Sequence, residues 1–275
     1  MTASTISSPA PAAMFAAAEA YDRYMGRWSR RLAPLFLAFA GVRDGDRVLD
    51  VGSGTGSLAL AAADALPASP VLGIDPSASF VDFARRRGTP PRLRFEVGDA
   101  QELPCPSSGF DHALALLVLN FVPDHQRAIA EMRRVTRPGG TVGACVWDYG
   151  DGMQMLRVFW DAATALDAST AERDERHMKL WRPGQLAAAW AEAGLAEVRE
   201  ETLSIELPFA SFDDYWGPFL AGAGPGGAHV ARLDPAARDA LAARLRRQLL
   251  GGRADGAFTL MASARCVRGK VPGGG

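Results

Sequence analysis

Residues 48–58, VLDVGSGTGSL, contain the pattern most informative about the fold. Its apolar start predicts a buried strand, and the alanine-rich residues that follow predict a helix. Glycines between a strand and a helix let the backbone pass close to a ligand, and the helix N-terminus presents unpaired N–H groups to an anionic group. A turn of this kind is weak evidence by itself, because nicotinamide-dinucleotide sites also carry one.

The spacing of this turn argues against a dinucleotide. Dinucleotide turns follow the pattern G-x-G-x-x-G, whereas here the third glycine, Gly56, falls one position early. Asp50 also lies two residues before the first glycine. A carboxylate that faces the ligand suits an ammonium group better than a pyrophosphate, which favours a ligand with an amino-acid end.

Strands and helices alternate from this turn onward, which predicts an α/β fold. The apolar run at residues 110–120 is typical of a strand buried on both faces of a parallel sheet. We expect a doubly wound, mostly parallel, seven-stranded Rossmann-like sheet with helical lid insertions. The predicted strands are 47–51, 71–74, 93–97, 110–120, 141–147, 196–207 and 258–267. The predicted helices are 14–25, 29–40, 58–66, 77–87, 124–137 and 183–193, with Ser29 as the N-cap of the second and Gly41 as its stop.

Eight segments describe the expected organisation of the chain. They are a disordered tail at 1–13, a helical arm over the ligand site at 14–41, an α/β core at 42–149, a helical insertion at 150–182, a core helix and strand at 183–207, a helical lid insertion at 208–253, the last core strand at 254–269 and a tail at 270–275.

The composition is that of an ordinary globular protein and excludes several partners. Hydrophobic residues make up 48% of the 275 and charged residues 22%, and the net charge is −1. No global basic field attracts nucleic acid or an anionic membrane. The N-terminus lacks the pattern of a secretory signal, and no apolar run approaches the length of a membrane span. We expect a cytoplasmic monomer or homodimer that uses no nucleic acid and no membrane.

The cysteines and histidines give no sign of a metal site or of a disulfide framework. Cys105, Cys145 and Cys266 are few and scattered, and the four histidines have no paired spacing. Cys145 falls in a predicted buried strand, where a small hydrophobic residue explains it. We therefore expect no metal and reduced thiols.

Four motifs in order resemble a known family. They are DVGSGTG at 50–56, GIDPS at 73–77, GDAQELP at 98–104, and FD at 110–111 followed by RVTRPGG at 134–140. They look like the core motifs of class I S-adenosylmethionine-dependent methyltransferases, type 11/25, and are similar to the ubiquinone/menaquinone-biosynthesis enzymes. The resemblance covers residues 44–147 and implies S-adenosyl-L-methionine as the cofactor of a bacterial transferase.

The resemblance also implies roles for single residues. Asp75 would hold the ribose hydroxyls, Asp99 the adenine amine, and Asp50 the ammonium or the turn itself. Arg27 could pair with the methionine carboxylate, although the aromatic residues of the arm could also simply pack on the sheet. The implied cofactor site comprises Tyr24, Arg27, Asp50, Gly52, Ser53, Gly54, Gly56, Asp75, Pro76, Asp99, Ala100 and Leu117.

No catalytic motif is present, as in-line methyl transfer needs mainly alignment and exclusion of water. Asn120 and Asp148 end two strands at the edge where ligands bind, and His177 lies in the first insertion; capping or surface roles are the alternatives. The aromatic residues of the insertions favour a small, partly apolar acceptor that attacks through O, C or N. Substrate-binding candidates are Asn120, Phe121, Trp147, Trp181 and Trp216.

Two other functions stay open at this point. A protein that binds S-adenosylmethionine without catalysis would carry the same motifs. An NAD(P)-dependent oxidoreductase would share the sheet, although the glycine spacing counts against it.

Overall fold

The computed structural model describes residues 18–273, which form a seven-stranded sheet in the order β3-β2-β1-β4-β5-β7-β6. The strands are β1 (Val48–Val51), β2 (Val71–Asp75), β3 (Leu93–Val97), β4 (Phe110–Leu116), β5 (Thr136–Trp147), β6 (Ala196–Phe209) and β7 (Phe258–Lys270). The first five run parallel, and β7 is antiparallel to both β5 and β6. The predicted α/β, mostly parallel, seven-stranded fold is confirmed.

Helices cover the sheet and connect its strands. They are α1 (Ala18–Tyr21), α2 (Arg27–Ala40), α3 (Ser57–Ala65), α4 (Ala78–Arg85), α5 (His125–Val135), α6 (Gln154–Leu166), α7 (Gln185–Glu192), α8 (Phe212–Leu220), α9 (Gly224–Val230) and α10 (Pro235–Leu250). Ser77 and Asp124 cap α4 and α5 by accepting backbone hydrogen bonds, as their residue types favour.

The strand order creates a switch point between β1 and β4. From β1 the chain first proceeds outward to β2 and β3, and it then returns to add β4 on the other side of β1. Asp50 of β1 is in register with Gly73 of β2 and Leu114 of β4. Because ligands of open α/β sheets bind where the strand order reverses, the carboxyl ends of β1 and β4 mark the site.

The N-terminal arm differs from the two helices expected there. The described part is helical without a break from Ala18 to Ala40, with a π-helical turn at Asp22–Gly26. The prediction that Ser29 caps a second helix is wrong, because its hydroxyl donates to the Met25 carbonyl (3.1 Å) inside the helix. Gly41 ends the helix in the left-handed conformation (φ 73°), as predicted. The predicted disordered tail at 1–13 lies outside the described residues.

The antiparallel end of the sheet is longer than its sequence pattern indicates. β6 and β7 pair from Ala196 opposite Lys270 to Phe209 opposite Phe258. Lys270, placed in a tail from the sequence, lies in β7, and its Nζ donates to Thr141 Oγ1 at 2.9 Å.

A disulfide joins two strands of this region and corrects the expectation of reduced thiols. Cys145 of β5 and Cys266 of β7 lie directly opposite each other, and their sulfurs are bonded. The two cysteines are 121 residues apart in sequence, so only the antiparallel pairing of β5 with β7 brings them together. Cys105 is the remaining free thiol.

Two helical segments lie outside the strand and helix alternation. The first holds α6 and short 3₁₀ turns at Ala168–Arg173 and Glu175–His177, and the second holds α8, α9 and α10. Their aromatic residues pack on each other: Phe159 stacks on Phe219 with ring centres 4.4 Å apart, and Phe212 on Trp216 at 6.4 Å. Within residues 18–273, no helix has the length and apolar character needed to cross a bilayer.

Candidate active site

The glycine-rich turn lies at the carboxyl end of β1 and is held by β2. Gly52, Gly54 and Gly56 all have positive φ, at 71°, 54° and 89°. The N–H groups of Gly52 and Ser53 donate to the Ile74 carbonyl at 2.7 and 2.9 Å. Glycine is required at Gly52, because a Cβ there would lie 2.4 Å from a methyl of Val118. A Cβ on Gly54 would meet nothing within 4 Å, so the turn exposes its backbone at that residue.

Asp50 lies beneath this turn with a carboxylate that is only half satisfied. Its Oδ2 accepts from the Ala59 N–H in α3 at 3.0 Å, and its Oδ1 is buried with no hydrogen-bond partner in the part of the chain that the structure describes. Burial raises the pKa of Asp50 to about 7, and the negative charge of Asp75 adds to this rise. A buried, unpaired carboxylate oxygen is costly unless a donor reaches it, so Oδ1 suits a ligand ammonium group.

Asp75 ends β2 beside the same turn. Its Oδ2 accepts from Gly54 N at 2.8 Å and its Oδ1 from Ser77 N at 2.9 Å. Burial raises the pKa of Asp75, while these two hydrogen bonds lower it. Each carboxylate oxygen keeps a second lone pair, which is what two neighbouring hydroxyl groups would need. Pro76, the next residue, is exposed.

The predicted adenine segment follows β3 and is partly exposed. The Asp99 carboxylate accepts from the backbone N–H of Gln101 at 2.8 Å and from its side-chain amide at 3.1 and 3.2 Å. The Asp99 carboxylate therefore stabilises its own loop by hydrogen bonds, and Ala100 beside it is buried.

The end of β4 has an unusual backbone. Leu117 is a buried residue other than glycine with φ 62°, and its N–H donates to the Cys145 carbonyl at 2.8 Å. Strained backbone of this kind persists where the surroundings hold it and is common at ligand sites. Val118, the next residue, packs on Gly52, so the β4 end and the glycine-rich turn are in contact.

The arm is fastened to the turn by Asp22, which sequence reasoning missed. Asp22 Oδ1 accepts from the Thr55 hydroxyl at 2.9 Å and from Arg30 at 2.7 Å, with Arg87 at 3.4 Å. Asp22 begins the π-helical turn, and such turns are frequent at functional sites. A sequence pattern based on a regular helix gives no signal for this residue.

The other arm residues lie against the site and the second insertion. Burial raises the pKa of Tyr21 to about 12, and the charges of Asp75 and Asp22 contribute. Tyr24 is buried, and its hydroxyl has no hydrogen-bond partner. Arg27 pairs with Asp214 of α8 at 2.8 Å and lies over the ring of Trp28 at 4.1 Å. The Arg27 guanidinium thus joins the arm to the lid, and its postulated contact with a ligand carboxylate stays a prediction.

The polar candidates at the strand ends have different surroundings. Asn120 is buried, and its Nδ2 donates to the Tyr149 hydroxyl at 3.2 Å while its Oδ1 has no partner. Asp148 accepts from Gly150 N at 3.0 Å and pairs with Arg265 at 3.2 Å, as expected of a loop cap. His177 is exposed, and its Nε2 lies 3.1 Å from the Ala171 carbonyl oxygen.

The aromatic candidates do not form one group. Trp147 is buried in β5, opposite Ala264 of β7. Trp216 packs with the rings of α8, whereas Trp181 packs over Gly150 and donates to the Arg176 carbonyl at 3.2 Å. Phe121 is 45% exposed at the end of a 3₁₀ turn.

Two further residues face this region without any sequence signal. Tyr149 follows β5 and is buried against Asn120, and Glu175 is a buried carboxylate in the first insertion. The Nε1 group of Trp160 donates to Glu175 Oε2. A glutamate in a charged, helical stretch is indistinguishable by sequence from a solvated one, so its burial depends on tertiary structure.

The unpartnered polar atoms test whether the region fits a cofactor with an ammonium group and hydroxyls. Within the described residues 18–273, buried side-chain oxygens without a hydrogen-bond partner occur at Asp50, Ser53, Asn120 and Tyr24. They come from β1, the glycine-rich turn, the β4 end and the arm, which all meet at the switch point. Buried polar atoms normally have partners, so these oxygens fit a polar ligand in this position. Among residues 18–273, no group of histidine, cysteine and acidic side chains has the arrangement of a metal site.

Comparisons with known proteins agree with this geometry. Residues 49–143 match a family model described as a methyltransferase domain. A protein of Mycobacterium tuberculosis is 36% identical over 118 residues, which is 42% of each chain. The trans-aconitate 2-methyltransferase of Deinococcus radiodurans is 39% identical over 100 residues, 36% of this chain and 37% of that enzyme. The chain thus spans about two fifths of these curated relatives.

Solved structures share the fold over almost the whole chain. A chain from the complex of the Haloferax volcanii Trm112 methyltransferase activator with a methyltransferase has a TM-score of 0.61 at 22% identity, with 97% of this chain and 99% of that one covered. Phosphoethanolamine N-methyltransferase 2 of Haemonchus contortus, solved with S-adenosylhomocysteine, has a TM-score of 0.60 at 19% identity, with 96% and 58% covered.

The sheet order agrees with the fold of these solved structures, and residues 49–143 resemble a methyltransferase domain. This likeness agrees with the family that the sequence motifs indicate.

Proposed function

We propose that the chain transfers a methyl group from S-adenosylmethionine to a small, partly apolar acceptor that attacks through an O, C or N atom. The observation that carries the proposal is the set of unpartnered buried oxygens where the arm meets the glycine-rich turn. The sulfonium cofactor supplies an electrophilic methyl group, and this chain supplies binding, alignment and exclusion of water.

The residues of the cofactor site have complementary roles in this proposal. Asp50 Oδ1 accepts from the ammonium group, and Asp75 accepts from the ribose hydroxyls with its free lone pairs. Asp99 and Ala100 border the adenine, while Leu117 faces the sulfonium side. The arm covers the bound molecule, because Asp22 holds it to Thr55 of the turn.

The acceptor side is assigned to the strand ends and the insertions. Asn120 has a free buried oxygen there, and Phe121, Trp147, Trp181 and Trp216 supply candidate apolar surface. Asp148 and His177 are weaker candidates, because both already have partners within their own loops. The protein would act as a cytoplasmic monomer or homodimer without nucleic acid or membrane.

The cofactor assignment is tested by Asp75→Ala. We expect the Kd for S-adenosylmethionine to rise by more than about tenfold, because a hydrogen bond to a charged group contributes roughly 1.5–3 kcal/mol. Equilibrium dialysis measures the change, and Asp82→Ala is the control, since that exposed side chain pairs with Arg85. Equal affinity in wild type and Asp75→Ala would remove Asp75 from the site.

Transfer itself is separated from binding by a second assay. Radioactive methyl groups from labelled S-adenosylmethionine should reach a member of a panel of hydrophobic phenols, quinone precursors and amines. Tight cofactor binding with no transfer to any member would favour a binding protein without catalysis.

A further inference from the structure

Glu175 is a buried carboxylate that the cofactor site does not use. It begins the 3₁₀ turn Glu175–His177 of the first insertion and is 6% exposed. The Nε1 group of Trp160 donates to its Oε2. Burial raises the pKa of Glu175 to about 7, and the charge of Asp174 contributes to the rise.

The charges around Glu175 compensate it only in part. Arg157 is buried and forms a two-point ion pair with Asp174, and Arg176 lies 3.8 Å from the same carboxylate. The charge of Arg157 lowers the pKa of Glu175, but burial and the charge of Asp174 outweigh it. His229 is another base in this region, and its ring lies 5.7 Å from that of Trp160. Burial and Arg173 lower the pKa of His229, which keeps it neutral near pH 7.

A continuous set of aromatic rings links Glu175 to the arm. The Trp160 ring meets Phe159 at 5.0 Å, Phe159 stacks on Phe219 at 4.4 Å, and Phe219 meets Tyr24 at 5.5 Å. Tyr24 is 2% exposed, and its hydroxyl has no hydrogen-bond partner. Aromatic faces beside a carboxylate attract an organic cation.

The same carboxylate also lies near the carboxyl edge of the sheet. The charge of Glu175 contributes, after burial, to the raised pKa of both Tyr24 and Tyr149. The Tyr149 hydroxyl accepts from Asn120 Nδ2. Asn120 is 6% exposed, and its Oδ1 has no hydrogen-bond partner among the described residues. Within residues 18–273, Tyr24 and Asn120 each hold an unpartnered buried oxygen, and the charge of Glu175 acts on Tyr24 and on Tyr149, the partner of Asn120.

We propose that Glu175 binds the acceptor and that the acceptor is a protonated amine with an apolar body. This inference rests on the proposed methyl transfer and names its substrate class. The ammonium group neutralises the buried carboxylate, and the aromatic rings contact the rest of the molecule. A carboxylate and a cation that meet in a desolvated site form a strong, specific pair.

The same pair prepares the nucleophile. The ammonium nitrogen gives one proton to the Glu175 carboxylate, which leaves a neutral amine with a free electron pair. That electron pair forms the new N–C bond to the methyl carbon as the C–S bond breaks, and the C–S electrons remain on sulfur. The product is a methylated ammonium ion, and the Glu175 acid then releases its proton to water. A base that titrates near the working pH suits this step.

The test compares amines with alcohols of the same carbon skeleton. Three matched pairs serve as probes: 2-phenylethylamine with 2-phenylethanol, cyclohexylmethylamine with cyclohexylmethanol, and 1-octylamine with 1-octanol. Calorimetry at pH 8 measures each Kd with and without S-adenosylhomocysteine. We expect the amine of at least one pair to bind about tenfold tighter than its alcohol, because only the amine is charged.

Glu175→Gln removes the charge but keeps an oxygen that can accept from Trp160 Nε1. This variant should reduce the amine preference to within about threefold while the Kd for S-adenosylhomocysteine stays unchanged. Glu172→Gln, an exposed residue in the preceding 3₁₀ turn, is the matched control and should keep the preference. In the wild type, the preference should fall as the pH drops through about 7, because Glu175 becomes protonated.

An unchanged preference in Glu175→Gln overturns the proposal, as does a wild type in which no amine binds tighter than its alcohol. If Glu175→Gln does not fold, the pH dependence of the wild type decides, and a preference that is constant from pH 8 to pH 6 counts against Glu175. Failure of the wild type to bind S-adenosylhomocysteine is a separate result. It contradicts the proposed methyl transfer, whereas the comparison without that ligand still judges the amine site.

Discussion

At the residue scale, the site holds carboxylates whose ionised forms are poorly compensated. Asp50 and Glu175 are both buried, and burial raises the pKa of each to about 7. Functional sites often keep such groups because a ligand supplies the missing partner. Without ligand, the free energy of unfolding is then lower than it would be if every buried polar group had a hydrogen-bond partner.

The pH dependence of stability should show this cost at Asp50. A carboxyl group with a raised folded-state pKa binds more protons in the folded than in the unfolded state between pH 3.8 and about 7. The free energy of unfolding therefore falls as the pH rises through this window. Asp50→Asn removes the charge, so its stability relative to the wild type should increase from pH 5 to pH 8, with a Tm at least about 3 °C above wild type at pH 8.

Differential scanning calorimetry of the two proteins at pH 5, 6, 7 and 8 measures this difference. Asp64→Asn is a surface control. A constant difference between Asp50→Asn and wild type across that range would show that Asp50 does not titrate as its burial requires.

Sequence reasoning reached some of these residues and missed others. Asp50 and Asp75 were found because each has a fixed distance from the glycine-rich turn. Asp22 and Glu175 were missed because their surroundings come from distant segments, Thr55 for the first and Trp160 for the second. No local pattern records a contact of that kind.

At the element scale, we propose that the arm covers the candidate site. It is held at one end by Asp22 on the turn and at the other by Arg27 on α8. Its sequence predicted helix correctly, but the π-helical turn joined two predicted helices into one. The residue types of that turn favour a regular helix as well, so only tertiary contacts decide its form.

Loss of the Asp22 charge should loosen the arm. Asp22→Asn weakens the contacts to Thr55, Arg30 and Arg87, so amides of α1 and the π-helical turn should exchange with deuterium faster. The Kd for S-adenosylmethionine should rise about three- to tenfold, because binding must then order the arm. Hydrogen exchange followed by mass spectrometry measures the first effect, and dialysis the second.

Glu19→Gln is the control for the arm, since Glu19 is an exposed neighbour on α1. If Asp22→Asn exchanges and binds like the wild type, the contact between arm and turn does not hold the arm closed.

At the scale of the whole molecule, the sheet followed directly from sequence and the disulfide did not. Alternating strands and helices with buried apolar runs allow few topologies other than a doubly wound sheet. The pairing of Cys145 with Cys266 requires the register of β5 with β7, which strand patterns leave undefined. The packing of the insertions could not be predicted from the sequence either, because the spacing of their aromatic residues fits both a core and a ligand site.

The disulfide has a direct chemical consequence. Protein denatured without reductant should show one reactive thiol, Cys105, out of its three cysteines. Reduction before denaturation should give three reactive thiols. The free energy of unfolding of the reduced protein should be about 2–4 kcal/mol lower, because the crosslink constrains the unfolded chain. A thiol-specific colorimetric titration measures the count, and three reactive thiols without reductant would contradict the bond.

We expect the switch point of this sheet to bind S-adenosylmethionine, and calorimetry measures this binding. Purified protein is titrated with S-adenosylmethionine, S-adenosylhomocysteine and NADH. We expect micromolar Kd values for the first two and no heat from NADH. Binding of NADH alone would contradict this expectation and make an oxidoreductase the better description of the site.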